Sequence, residues 1–132
     1  MKTLVILTNN PLVKENFPKK YPDVDVEVDF RAISFMDVLR GVRDLVHSGS
    51  KILTHHLDGS IKPNETPYES VLLDKTPDEG FDMKSIDLIE YALNTCEKFP
   101  DEGRVHDEKV DKDFQTLDWT LLDSGLESLM LH

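Results

Sequence analysis

A chain whose only cysteine is Cys96 can close no disulfide within itself and can build no zinc site from clustered thiolates. Long apolar runs are also missing: nothing approaches the roughly 20 residues that a membrane-spanning helix needs. The apolar opening at residues 2–7 is too short for a secretory leader and runs into polar Thr8-Asn9-Asn10 with no small-residue cleavage site. These absences together fit a cytoplasmic protein. Neither glycine-rich phosphate signature is present, which leaves a dinucleotide or a nucleoside triphosphate without support, and no cofactor is implied. Internal repeats and low-complexity stretches are absent too.

Positive charge is scarce in the second half. Residues 67–132 carry six Lys/Arg against seventeen Asp/Glu, which accounts for the whole net charge of −11; residues 1–66 balance at nine and nine. An acidic half repels phosphate backbones and anionic lipid headgroups, so neither a nucleic acid nor a membrane surface is expected as a partner. The excess acid is either a solubilising surface or a face for a basic protein.

What the chain does have is a globular composition, 39% hydrophobic and 31% charged, at the length of one compact domain. Residues 2–7 read as a buried strand. Asn10 then caps a short helix whose first position suits Pro11 and which residue Pro18 is expected to stop. Val24, Val26 and Val28 alternate with acidic residues, the pattern of a half-buried strand near a sheet edge. Ser34 caps the clearest helix, with Phe35, Val38, Leu39, Val42 and Val46 on one face and Gly49 just beyond its end. Residues 51–54 and 68–73 read as a third and a fourth strand. Ile86, Ile89, Leu93 and Cys96 form the stripe of a second long helix, which makes the cysteine an inert core residue. In the last helix Phe114, Leu117 and Leu121 form the expected stripe, and Gly125 marks a break.

Strands alternating with helices predict an α/β fold, a three-layer sandwich around a mostly parallel sheet of about four strands, with a C-terminal helical extension. The division expected is an α/β domain over residues 1–100 and an acidic linker and helix over 101–132, packing on the domain or on a partner.

Two loops carry the polar chemistry. The first is Thr8-Asn9-Asn10-Pro11, at the carboxyl end of strand one, where open α/β sheets bind ligands against a helix N-terminus. Its bland reading is a turn and a cap. The second runs from His55 to Tyr68 and gathers His55, His56, Asp58, Gly59, Ser60, Lys62, Asn64 and Glu65 between fixed proline and glycine positions. Lys62, with backbone N–H groups around Gly59 and Ser60, suits a carboxylate or phosphate, and Glu65 suits an ammonium group or acts as a base. Adjacent histidines on a strand point to opposite faces, so His55 and His56 do not make a metal pair, and no metal site is expected. Asp58-Gly59-Ser60-Ile61-Lys62 is not a nucleophile elbow. The candidate ligand-binding residues are Thr8, Asn9, Asn10, His55, Gly59, Ser60, Lys62, Asn64, Glu65 and Tyr68; no catalytic residue is assigned. Both loops leave the same end of the sheet if strands one and three run parallel.

The segments Ile6-Leu7-Thr8-Asn9-Asn10-Pro11-Leu12-Val13-Lys14 and Leu53-Thr54-His55-His56-Leu57-Asp58-Gly59-Ser60-Ile61-Lys62-Pro63-Asn64-Glu65-Thr66-Pro67-Tyr68 resemble those of the GrdX proteins. The resemblance spans roughly residues 3–98. His56 stands where the family leads one to expect proline, and the acidic tail after Pro100 is not explained by it. GrdX proteins are encoded with the glycine, sarcosine and betaine reductases of amino-acid-fermenting anaerobes, so the resemblance implies a setting and no catalytic residue. Three functions follow as expectations. The foremost is an accessory protein of such a reductase system, binding a small anionic or zwitterionic metabolite or a reductase subunit. The second is a small-metabolite enzyme with a His/Glu acid–base and a lysine clamp. The third is an interaction module using the acidic half and last helix, with a second copy of the chain among its partners.

Overall fold

The computed structural model describes residues 3–54, 66–76, 82–98 and 107–130. Eight elements follow in order: β1 (Leu4–Thr8), α1 (Pro11–Lys20), β2 (Val26–Phe30), α2 (Phe35–His47), β3 (Lys51–Thr54), β4 (Ser70–Asp74), α3 (Met83–Lys98) and α4 (Glu108–Met130).

The strands form one sheet in the order β2-β1-β4-β3. It is mixed rather than mostly parallel: β1 pairs parallel with β2, but the β1–β4 and β3–β4 pairings are antiparallel. Parallel neighbours require a long crossover connection, whereas strands that follow one another in the chain and pair side by side, as β3 and β4 do, are readily antiparallel. The pairings nevertheless make β1, β2 and β3 run in one direction with β4 reversed, so Thr8, Phe30 and Thr54 end where Ser70 begins.

Alternation along β1 divides the core. Val5 and Leu7 join Val71 and Leu73 of β4 beneath α2 and α3, whose buried side chains include Val38, Leu39, Val42, Ile89 and Leu93. Ile6 and Leu72 face the other way, toward Val13 and Phe17 of α1 and Leu122 and Leu126 of α4. Each fully buried Leu, Val or Phe contributes about 1.5–3 kcal/mol relative to exposure. α2 forms as its period requires, with Ser34 Oγ accepting from Asp37 N at 3.1 Å and Gly49 at φ 106° beyond the last turn.

Expectations about three elements are corrected. Pro18 does not stop α1, which runs two residues further to Lys20. A proline in the last turn forfeits one backbone bond, and the residues after it need not leave the helix at once. α4 does not break at Gly125, and its buried stripe is Asp118, Leu122 and Leu126 rather than Phe114, Leu117 and Leu121; Leu117 is 47% exposed. The buried aspartate hides the apolar period. β4 begins at Ser70, two residues later than its composition suggests.

The two edges of the sheet differ. On β3, the register slips between Ile52 and Thr54, and Ile52 N donates to Ser85 Oγ of α3 at 2.9 Å. α4 closes in as well, since a β-carbon on Gly125 would overlap Thr54 Oγ1. β2, at the other edge, keeps an unbroken register with β1. Among the described residues, no helix is long and apolar enough to cross a membrane.

Candidate functional site

The polar loop after β1 is held almost wholly inside the protein. Thr8, Asn9 and Asn10 are buried, as are Glu69, Ser70 and Asp118. Buried polar groups must find partners, and the bonds made here run between three distant parts of the chain.

Asn9 ties the first loop to the end of the second. Its Nδ2 donates to the carbonyls of Ile33 and Pro67, each at 2.9 Å, and its Oδ1 accepts from Glu69 N at 2.9 Å. Its backbone N donates to Glu69 O at 3.4 Å. One side chain thereby links the β1–α1 turn, the segment entering α2 and the segment entering β4.

Asn10 begins and ends a closed ring. Its backbone N donates to Thr8 Oγ1 at 2.9 Å. Thr8 Oγ1 lies 2.6 Å from Ser70 Oγ, and Ser70 Oγ donates to Asp118 Oδ2, also at 2.6 Å. Asp118 Oδ2 accepts in turn from Asn10 Nδ2 at 2.9 Å. A hydroxyl has one proton. Ser70 spends its proton on Asp118, so the Thr8 proton must point at Ser70, and every donor in the ring has one direction. The carboxylate is its sink, and such charge-assisted bonds are the strong ones. The other Asn10 Nδ2 proton goes to Gln115 O at 2.9 Å, while Oδ1 caps α1 through Leu12 N at 3.0 Å.

Beside this ring lies a second, half-buried group. Tyr68 Oη donates to the Asp111 carboxylate, 2.8 Å from both oxygens, and accepts from Gln115 Nε2 at 3.1 Å. Burial, chiefly, raises the Tyr68 hydroxyl above its ordinary pKa of 10.0; the hydrogen bond from Gln115 pulls the other way and the neighbouring Asp111 adds to the rise. Glu69 is fully buried, and its Oε1 accepts from Ser70 N at 3.1 Å. Burial, with a contribution from the Glu69 charge, pushes the thiol of Cys96 up to about 11.

α4 is further clamped to α1. Lys20 reaches Asp123 and Glu127, and the Tyr21 hydroxyl donates to Asp123. Hydrogen bonds to those two carboxylates raise Lys20. Burial, then Asp123, pushes Tyr21 up to about 12.

The structure thus places Thr8, Asn9, Asn10 and Tyr68 together at one end of the sheet. His55, Gly59, Ser60, Lys62, Asn64 and Glu65 lie outside the described residues. Glu69, Ser70, Asp111, Gln115 and Asp118 join the site without having been singled out from the sequence. One signal did exist for Asp118: it falls at i, i+4, i+8 with Leu122 and Leu126, a polar residue on an apolar stripe. Among the described residues, no group of three or more His, Cys, Asp or Glu is arranged to hold a metal ion.

Fold and site define a small α/β protein with one mixed sheet, helices against both faces, and a hydrogen-bonded polar edge from which its loops arise. The chain belongs to the GrdX-like protein family, whose family model matches residues 5–127. That span takes in most of α4 as well as both loops. Comparison with curated proteins and with solved structures gave no match.

Proposed function

We propose that this protein is an accessory component of a glycine, sarcosine or betaine reductase system, and that it binds a small anionic or zwitterionic metabolite, or a reductase subunit, through the loops after β1 and β3. The observation that carries this reading is the tie from Asn9 to Pro67 and Glu69, which fastens the first loop to the end of the second. Both amide protons of Asn9 and of Asn10 are already committed to partners within the chain. In this reading Thr8, Asn9 and Asn10 brace the floor, and Tyr68 stands at the rim. Recognition falls to His55, Gly59, Ser60, Lys62, Asn64 and Glu65. Lys62 meets the carboxylate or phosphate of the ligand and Glu65 its ammonium group.

A thermal-shift panel with glycine, sarcosine, betaine, acetyl phosphate and inorganic phosphate tests the small-ligand version. A ligand at about 100 times its Kd adds about 2.7 kcal/mol of stability, a readable rise in melting temperature. The expected result is a shift with one of these compounds that disappears in Lys62→Ala. If none shifts at millimolar concentration, the metabolite version is wrong, and the reductase subunits become the ligands to test.

A further inference from the structure

The outer edge of β2 is built differently from the outer edge of β3. Edge strands invite pairing by other chains and are normally blunted. β3 is blunted three times over, by its register slip, by Ser85 accepting from Ile52 N, and by α4 pressed against Thr54. β2 ends the sheet on the other side with five residues in unbroken register on β1.

The two faces of this edge have opposite character. Val26 and Val28 lie toward α1 and border an open groove of about 360 Å³, whose other wall is Lys14, Phe17, Pro18 and Tyr21. Glu27 and Asp29 alternate with the valines within β2 and so point to the opposite face, while Asp25 sits in the turn before the strand, where Val26 N donates to Val24 O at 3.0 Å. Asp29 is held by Arg31 at 2.9 Å. Asp25 and Glu27 are exposed and have no ion pair among the described residues. A second copy of β2 fits poorly. Paired antiparallel about Val28, each Glu27 would meet the other copy's Asp29 on one face, and like charges directly opposed destabilise a sheet.

We infer that β2 accepts an added strand from a protein partner, an extended segment in which apolar residues alternate with lysine or arginine. Main-chain hydrogen bonds to β2 supply affinity. Apolar side chains of the segment extend the valine face into the α1 groove, while its basic side chains meet Glu27. None of the residues that carry this inference is among those proposed to bind a ligand, so the two readings are tested separately.

The test uses three synthetic peptides with the full-length protein: alternating Lys-Val, the same residues in block order, and alternating Glu-Val. Backbone amide NMR shifts and amide hydrogen exchange are followed. The expected result is saturable binding of alternating Lys-Val alone, with shifts and added protection concentrated on residues 24–30. Glu27→Lys lies on an exposed position, and a spectrum unchanged away from β2 verifies its fold. That variant should weaken the Lys-Val peptide at least tenfold and admit the Glu-Val one. Equal binding of the block-order peptide, or shifts spread over the acidic second half, would mean unspecific charge attraction and overturn the proposal. So would absence of binding at millimolar peptide, or a dimer of the protein alone that protects β2.

Discussion

Gly125 of α4 crosses Thr54 of β3 so closely that a β-carbon on the glycine would overlap Thr54 Oγ1 and sit 3.2 Å from Thr54 Cβ. In an exposed helix, replacing glycine by alanine gains about 0.8–1 kcal/mol. Here the sign should invert, because the added methyl strikes the end of a strand. Gly125→Ala is expected to cost about 1–3 kcal/mol of unfolding free energy. Urea denaturation of Gly125→Ala, Thr54→Ala and the double variant checks the cause. If the overlap is responsible, Thr54→Ala recovers part of the loss, with a coupling above about 0.5 kcal/mol.

Asp118 ends the hydroxyl chain from Thr8 through Ser70, and one of its oxygens, Oδ2, accepts both described bonds. Asp118→Ala leaves the Ser70 hydroxyl and one Asn10 proton without that acceptor, a loss on the order of 3 kcal/mol. Asp118→Asn keeps an oxygen that can occupy the Oδ2 position, so its cost should be less than half as large. Equal losses in the two variants would show that charge, rather than acceptor geometry, holds the ring.

Tyr21 predicts a loss of stability in alkali. Its hydroxyl is held at about 12, against an ordinary 10.0, by burial first and by Asp123 second. Between those values the folded state keeps a proton that the unfolded chain releases, so this contribution is complete below pH 10 and fades as pH rises toward 12. Tyr21→Phe lacks it. The stability gap between native protein and Tyr21→Phe should therefore shrink over that window, and ultraviolet titration near 295 nm should show a tyrosine ionising late. A gap constant with pH would mean that Tyr21 acts by packing alone.

Cys96 should be chemically quiet. Its thiol is pushed up to about 11 and its side chain is buried, so little thiolate exists near neutrality and little of it can be reached. Labelling by a disulfide reagent at pH 8 should be far slower than in denaturant, and should quicken in Asp118→Ala as the fold loosens. Rapid native labelling would place Cys96 in an accessible position and contradict the core assignment.

How much of this was legible beforehand varies with the physics of each element. α2 was readable in full, because all five apolar positions, its serine cap and its terminal glycine agree on one period. β2 showed its edge position through valines alternating with acids. The direction of β4 was not readable, since strand polarity is set by the path of the preceding connection and leaves no mark on the alternation within Ser70–Asp74. Among site residues, Thr8, Asn9, Asn10 and Tyr68 were found because they sit in dense polar stretches next to strands. Asp118 and Ser70 were missed because their importance lies in meeting across the fold, and each looks ordinary beside its own neighbours. The bland reading of the asparagines also has its share: Asn10 does cap α1, and the same side chain closes the ring.

The bonds from Asn10 to Gln115 and Asp118 span 105 and 108 residues, and they set an order of events on the ribosome. β1 and α1 emerge before α4, and the polar end of β1 lacks its acceptor until α4 has been synthesised. Contacts so remote in sequence form late, because a long loop must close before they return anything. Until then the nascent chain carries an apolar sheet face at Ile6 and Leu72 that Leu122 and Leu126 will later cover. A transiently open face of that kind is what chaperones hold and what aggregation exploits. The helix that reads from sequence as an acidic appendage thus closes this face, and a chain halted before it should be found bound to chaperones or lost to proteolysis.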